Sequence, residues 1–168
     1  TDKNLAIVIN IIISKSNVKE FKIDEVIKLV KDGINKGVLT NGSLMDVIRH
    51  INYNSLYNNK TEIIELAEDC IKNRTIHYSD LVQIFSPETV IVIYKNLLSK
   101  NIEEGLRLVE EAIDNKNISS DYILNDIIIT IIDQHYDKGL KLVKQLIKKQ
   151  TFFNYNIDDR LGDVISHI

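Results

Sequence analysis

The chain has 168 residues, of which 44% are hydrophobic and 27% are charged, and these are ordinary values for a soluble globular protein. Its formal net charge of -3 excludes the strongly basic field that marks many nucleic-acid-binding domains. One proline and six glycines leave little room for disordered stretches, and the single cysteine, Cys70, excludes an internal disulfide. We therefore predict one domain, residues 1–168, in a reducing compartment, with Cys70 as a buried thiol.

The first predicted element is an α-helix over roughly residues 3–15, built around the apolar run at residues 5–13. This run is far shorter than the ~20 residues that a membrane-spanning helix needs. It also lacks the basic leader and the small-residue cleavage site of a signal peptide. We therefore predict no membrane span and a cytoplasmic location, in the host cytoplasm if the protein is viral.

Isoleucine, asparagine and lysine are abundant in the chain, whereas alanine occurs only as Ala6, Ala67 and Ala112. The codons of the first three amino acids are AT-rich, and those of alanine are GC-rich. The composition therefore predicts an AT-rich genome, such as that of a low-GC bacterium or its phage, a large DNA virus or a parasite.

Four segments repeat one pattern, with apolar residues at the first, third, fourth and eighth places and a small or apolar residue at the seventh. They are IKLVKDGI at residues 27–34, IELAEDCI at 64–71, LRLVEEAI at 106–113 and LKLVKQLI at 140–147. This pattern predicts an amphipathic helix with one broad core-facing stripe. The unequal intervals between the four starting positions all fall in the range typical of helical repeat proteins.

Helix start signals precede each segment by three residues. These residues suit an N-cap or a first turn, and they are Asp24, Thr61, Glu103 and Asp137. Polar or basic residues follow each segment, as expected at a helix C-terminus.

A second helix is predicted after each first one, and each begins its apolar stretch with an aspartate. These aspartates are Asp46, Asp80, Asp126 and Asp163. We expect them to be exposed or to bond to the backbone of a neighbouring unit. The resulting helix–loop–helix units cover roughly residues 23–51, 61–85, 103–133 and 137–168.

One more helix is predicted to begin at Ser86 and Pro87, because proline is favoured at the first helical position. Residues 52–59, rich in Asn and Tyr, are predicted to form a loop. The β-branched run at residues 127–132 allows a strand as the alternative, but the flanking helical periodicity favours a helix. The chain is thus predicted to be all-α, with about nine helices.

The chain resembles the helical-hairpin repeat families, namely tetratricopeptide, pentatricopeptide and HEAT-type proteins. Residues 121–150 carry the resemblance best, with one helix at 122–133 and the next at 136–149, and residues 87–118 have the same form. The resemblance implies antiparallel helical hairpins stacked in a short, irregular right-handed superhelix, with a compact helical bundle as the alternative. The chain has no Trp and only Pro87 as proline, which departs from the tetratricopeptide motif, so no functional residue is transferred.

No catalytic, cofactor or metal site is predicted. The histidines are scattered over different units and lack ligand spacing; they are His50, His77, His135 and His167. No glycine-rich phosphate loop is present, and the titratable residues at 135–137 fall at a helix junction, where Asp137 suits an N-cap.

Two groups of residues are candidates for binding a partner. Lys138, Lys141, Lys144 and Lys148 form the most basic local feature, for which a solvated outer face is the alternative. Tyr53 and Tyr57 lie in the predicted loop, where packing at a hairpin corner is the alternative.

The predicted function is that of a non-enzymatic helical repeat domain that binds another macromolecule, most often a protein, as a scaffold or adaptor. The alternatives are an RNA- or DNA-binding repeat protein, and a viral or phage protein that inhibits a host partner.

Overall fold

The computed structural model describes residues 2–15, 23–54, 60–115 and 121–148, together with Gly162 and Ile165. This part of the chain contains nine α-helices and no β-strand, which confirms the predicted all-α class. The helices are α1 (Asp2–Lys15), α2 (Ile23–Asn35), α3 (Asn41–Asn54), α4 (Lys60–Lys72), α5 (Tyr78–Ile84), α6 (Pro87–Lys100), α7 (Ile102–Asp114), α8 (Asp121–Gln134) and α9 (Tyr136–Lys148).

The chain divides into two compact units, Thr1–Thr89 and Val90–Ile168. The first unit holds α1 to α5, and the second holds most of α6 and all of α7 to α9. The predicted single repeat domain, its right-handed superhelix and the alternative of a compact bundle remain predictions.

In the first unit, α3 contacts α1, α4 and α5, while α2 packs against α1 and α4. The core-facing residues Val47, Ile48 and Ile51 of α3 are fully buried. The amide of Asn52 donates to the carbonyl of Ile84 at 2.9 Å, which ties the end of α3 to α5. A polar side chain on the last turn of α3 therefore helps to fix the position of a helix that is distant in the chain.

A tight turn joins α2 to α3. Gly37 has φ +63°, a conformation that glycine adopts without steric cost, as is common just beyond a helix end. The backbone amides of Val38 and Leu39 both donate to the carbonyl of Gly33, at 2.9 and 3.1 Å. The turn thus satisfies a carbonyl that the last helical turn leaves without a helical partner.

In the second unit, single residues join consecutive helices. Asn101 links α6 to α7, and His135 links α8 to α9. Such short links place the paired helices close together. In each pair, a glycine in the first turn after the link permits the approach: Gly105 lies against Leu98, and Gly139 lies against Ile132.

The four repeated segments lie in α2, α4, α7 and α9. The fourth and seventh places are buried in every copy, and the residues there are Val30, Gly33, Ala67, Cys70, Val109, Ala112, Val143 and Leu146. The predicted core-facing stripe is therefore present in each helix. Leu29, at the third place of the first copy, departs from it because 41% of its surface is exposed.

Several predicted boundaries were wrong. The predicted loop at residues 52–59 begins too early, because α3 continues to Asn54, and residues 55–59 lie outside the described part. Asp137 is not an N-cap, since α9 begins at Tyr136 and Asp137 lies in the first turn. Glu103 lies in the first turn of α7, as suits an acidic residue, and the N-cap of this helix is Asn101. The run at residues 127–132, for which a strand was the alternative, is the buried centre of α8.

The recurring aspartates have three different environments. Asp80 accepts a hydrogen bond from the backbone N–H of His77 at 2.8 Å and so caps its own helix. Asp46 pairs with Arg49 on the same helix, whereas Asp126 pairs with Lys95 of α6 at 2.8 Å. Asp46 is exposed, which is one of the two expected alternatives, whereas Asp80 and Asp126 are neither exposed nor seen to bond to the backbone of a neighbouring unit. Asp163 lies outside the described residues.

Candidate partner-binding surface

A groove of about 350 Å³ runs between α7 and α9 in the second unit. Two leucines line it, half-buried Leu106 and buried Leu142. The other residues that line it are charged or polar: Glu103, Arg107 and Glu110 from α7, and Lys138, Lys141 and Gln145 from α9. The groove therefore has an acidic helix on one side and a basic helix on the other.

One ion pair joins the two helices across this groove. The ammonium group of Lys138 donates to the carboxylate of Glu103. The hydrogen bond and the charge of Lys138 lower the pKa of Glu103 below its ordinary value, and the charge of Lys141 adds to this effect. The positive charge of Lys138 is thus compensated by a carboxylate of the neighbouring helix.

Arg107 is also neutralised within the groove. Its guanidinium donates to Glu104 at 2.7 and 3.0 Å and to Glu111 at 2.8 Å, and both acids lie on the same helix. The hydrogen bonds to Glu104 raise the pKa of Arg107 above its already high value. Of the charged residues that α7 contributes to the groove, Arg107 is thus paired within α7 and Glu103 with α9, whereas Glu110 is exposed and forms no ion pair with any described residue.

Three lysines on α9 remain unneutralised. Lys141, Lys144 and Lys148 are exposed and make no ion pair with any residue that the structure describes. We call these three residues the lysine strip. They line a second depression of about 320 Å³ together with Asp137, Leu140 and Gln145. Of the four predicted basic residues, Lys138 therefore differs from the other three in forming an ion pair with a described residue.

The two depressions are related by the repeat. The residues that α7 contributes to the groove are Glu103, Leu106, Arg107 and Glu110, and the equivalent places of α9 hold Asp137, Leu140, Lys141 and Lys144. The same four places of the repeat thus line the groove on α7 and the second depression on α9. The charge is reversed at one of them, because Lys144 stands where α7 has Glu110.

A groove of about 380 Å³ lies between α2 and α4 in the first unit. Acidic and basic residues alternate along it, and they are Asp24, Lys28, Lys31, Asp32, Glu62 and Glu65. Lys31 pairs with Asp69 of α4 at 2.8 Å. This groove has mixed charge throughout and lacks a basic side such as the one that α9 forms.

Of the two candidate tyrosines, Tyr53 is 73% exposed, and it lies on α3 rather than in the predicted loop. Tyr57 lies outside the described residues. Tyr122 and Tyr136 are also exposed, whereas Tyr78 and Tyr94 are buried. Exposure alone therefore does not separate Tyr53 from the tyrosines at the starts of α8 and α9.

The histidines have local roles. His50 Nδ1 lies 2.9 Å from the carbonyl oxygen of Asp46 on the same helix, His77 is the N-cap of α5, and His135 joins α8 to α9. His167 lies outside the described part of the chain. Within the described residues, no group of three or more His, Cys, Asp or Glu side chains is placed to hold a metal ion.

Cys70 is buried, as predicted, with 1% of its surface exposed. Burial raises the pKa of the Cys70 thiol to about 11, although a hydrogen bond with Thr75 opposes the shift. The thiol is thus protonated at neutral pH, which disfavours nucleophilic chemistry because the thiolate is the reactive form.

An exposed apolar face on α1 was not anticipated. Ala6, Ile9 and Ile13 are buried, but Ile7, Val8 and Ile11 on the opposite side are about half exposed. The signal for it was the near-continuous apolar run at residues 5–13, since a helix with one buried stripe needs only every third or fourth residue to be apolar. No helix among the described residues is both long and apolar enough to cross a membrane.

Comparison of the chain with protein-family models, with curated proteins and with solved structures gives no match. The residues themselves therefore carry the functional interpretation, and the lysine strip beside the α7/α9 groove is the most distinct surface among those described.

Proposed function

We propose that this chain is a binding domain that docks another protein on the second unit, through α9 and the α7/α9 groove. The observation that carries the proposal is the lysine strip: three exposed cations make no ion pair with any described residue, and they lie on α9 beside a groove in which Arg107 and Lys138 are paired. Unneutralised charge beside a groove favours association with a complementary surface.

The lining of the depressions supports a macromolecular partner over a small metabolite. Pockets for small molecules are mostly apolar and enclose about 300 to 1,000 Å³. The three grooves, at about 350, 320 and 380 Å³, fall at the lower end of this range, but most of the residues that line them are charged. A non-enzymatic role as a scaffold or adaptor is part of the proposal.

Nucleic acid is the second candidate, and the lysine strip is the observation that favours it. The flanking charges oppose this alternative, because Glu110 and Asp114 on α7 are exposed, as is Asp137 on α9. A polyanion that follows the surface beyond the strip meets these carboxylates. We therefore place an acidic protein surface first. A viral or phage inhibitor of a host protein would use the same docking surface.

Site-specific photo-crosslinking tests the proposal. A photoreactive amino acid replaces Lys144 in one variant of the chain. In a control variant it replaces exposed Lys36 of the first unit. Both variants are irradiated in an extract of the source cells. We expect one dominant protein adduct from position 144, and we expect this adduct to be absent from the variant labelled at position 36. Absence of any adduct at 144, together with turnover of a small molecule by the purified chain, would overturn the proposal.

A further inference from the structure

We propose that the lysine strip docks an acidic α-helix of the partner protein, with carboxylates repeating every three or four residues and one apolar side chain seated beside Leu140. This inference rests on the proposed function and adds the chemistry and the secondary structure of the docked segment.

The spacing of the strip matches a helix. Lys141, Lys144 and Lys148 are separated by three and four residues, so their side chains share one face of α9 and span about 10.5 Å along its axis at about 1.5 Å per residue. A second helix with carboxylates at positions i, i+3 and i+7 has the same rise between its charges. In an extended peptide the side chains of one face lie about 6.6 Å apart, so three successive charges span about 13 Å and exceed the length of the strip.

The chain itself contains a contact of the proposed kind. Helix α7 uses Glu103, Leu106, Arg107 and Glu110 to line a groove against a helix, α9, and Glu103 forms an ion pair with Lys138 of that helix. The equivalent residues of the next repeat, Asp137, Leu140, Lys141 and Lys144, line the depression beside the strip. The outer face of α9 is therefore built like a surface that already accepts a helix.

The charge of this face selects an acidic helix. Lys144 replaces the acidic residue that α7 has at the equivalent place, and Lys148 adds a third cation one turn further on. Leu140 is half-buried and borders the depression, so an apolar side chain has a partner there while carboxylates reach the lysines. This combination of an apolar anchor and flanking charges is typical of helix-in-groove recognition.

Three cations are too few for a strong contact with a nucleic acid backbone. Binding through three phosphates gives a salt dependence with a slope of about -2.7, whereas proteins that hold nucleic acid firmly make about 6 to 10 such contacts. The exposed carboxylates of Glu110 and Asp137, which line the depressions together with strip lysines, reduce the attraction further.

The test uses the full chain and two fluorescein-labelled helical peptides of Ala, Leu and Glu. One peptide carries Glu at i, i+3, i+4 and i+7, and the other has Gln at those places. Binding is measured by fluorescence anisotropy at about 0.15 M salt, where the Debye length of about 8 Å suppresses effects of distant charges. A 30-nucleotide oligothymidylate serves as the nucleic acid probe under the same conditions.

Three variants accompany the natural chain. The first has Lys141→Glu, Lys144→Glu and Lys148→Glu, and the second has Gln at the same positions, which removes charge without adding repulsion. The third is a control for the first variant, with the same change in net charge placed in the first unit: Lys28→Glu, Lys36→Glu and Lys72→Glu. Circular dichroism reports whether each variant is folded. If the Glu variant does not fold, the affinity of the Gln variant tests the inference.

We expect the Glu peptide to bind at least about tenfold more tightly than the Gln peptide and the oligothymidylate. We expect the first variant to lose at least about tenfold in affinity, the second at least about threefold, and the control less than twofold. Equal affinity for the two peptides, equal affinity of the Gln variant and the natural chain, or tighter binding of the oligothymidylate would each overturn the inference. If one of these results is obtained but a protein is still crosslinked at position 144, the inference of an acidic helix fails while the proposed function stands. The two failures are therefore distinguishable.

Discussion

Gly139 of α9 lies directly against the backbone of Ile132 in α8. A Cβ atom on residue 139 would lie 2.8 Å from the Cα and 2.9 Å from the backbone nitrogen of Ile132. Gly105 of α7 has the same relationship to Leu98 of α6, at 2.8 and 2.9 Å. Both glycines therefore act as contact points where two helices of a hairpin approach closely, and they occupy equivalent places in successive repeats.

Gly139→Ala should destabilise the protein although alanine is the better helix former. The helix propensity gain of about 1 kcal/mol is opposed by overpacking, which costs about 1 to 3 kcal/mol and more where the obstacle is backbone. We expect a net loss of about 1 to 2 kcal/mol, or a melting temperature lower by about 2 to 8 °C for a chain of this size. Thermal unfolding followed by circular dichroism measures it.

Gly42→Ala is the matched control, because nothing lies within 4 Å of a Cβ atom at this position in the first turn of α3. Here the propensity gain is unopposed, and the melting temperature should stay equal or rise. A stabilised Gly139→Ala variant would show that α8 and α9 separate at no cost and would contradict the close packing.

The links between paired helices give a second prediction. Asn101 is the N-cap of α7, and its side chain accepts a hydrogen bond from the backbone N–H of Glu104 at 3.2 Å. Asn101→Ala should cost about 1 kcal/mol. His135 occupies the equivalent place before α9, so His135→Asn should add a cap and stabilise by up to about 1 kcal/mol. Urea unfolding of both variants measures the changes, and a loss of stability in His135→Asn would be contrary to expectation.

The ion pair between Glu103 and Lys138 predicts a pH effect. The pKa of Glu103 is lowered from its ordinary value of 4.5, first by the hydrogen bond from Lys138. A carboxyl with a lowered pKa in the folded state contributes stability above its unfolded pKa, and this contribution is lost as the pH falls through the folded pKa. The window therefore lies below about pH 4.5.

Carbon-13 NMR titration of the glutamate carboxyls measures this pKa directly. Lys138→Ala should bring the pKa of Glu103 back towards 4.5, and high salt should act in the same direction because both side chains are near the surface. Lys148→Ala is the control, because Lys148 forms no ion pair with any described residue, and it should leave the pKa of Glu103 almost unchanged. An unchanged pKa in Lys138→Ala would show that the pair does not form in solution.

Cys70 predicts a difference in thiol reactivity between the folded and unfolded chains. With its pKa at about 11, about one thiol in a thousand is ionised at pH 8, and access is blocked by burial. On unfolding the pKa returns towards 9.0, which raises the thiolate fraction about a hundredfold. Reaction with a coloured disulfide reagent should be very slow in buffer and fast in concentrated urea. A rapid reaction of the folded chain would mean that α4 opens readily.

Much of the fold was predictable because its determinants are local. The repeated spacing of apolar residues identified α2, α4, α7 and α9, and Pro87 identified the start of α6. Helix ends were predicted less well. Asn52 and Tyr53 suggested a loop by composition, yet α3 continues through both, and the bond from Asn52 to Ile84 shows that tertiary contacts hold this turn.

The candidate surface was predicted only in outline. Four lysines on one helix were evident from their spacing, but which of them form ion pairs was not. Lys138 is neutralised by Glu103 of a different helix, whereas Lys141, Lys144 and Lys148 have no such partner among the described residues. Pairing between two helices depends on how they pack, and periodicity within one helix carries no information about that.

The sequence by itself determined that this chain is helical and which faces of four helices are buried, because backbone hydrogen bonds and apolar periodicity act within a few turns. Only the tertiary structure decided which glycines are contact points, which lysine of α9 forms an ion pair with α7, and that α1 exposes Ile7 and Ile11. These properties arise from distances between residues far apart in the chain, which are set when helices pack side by side.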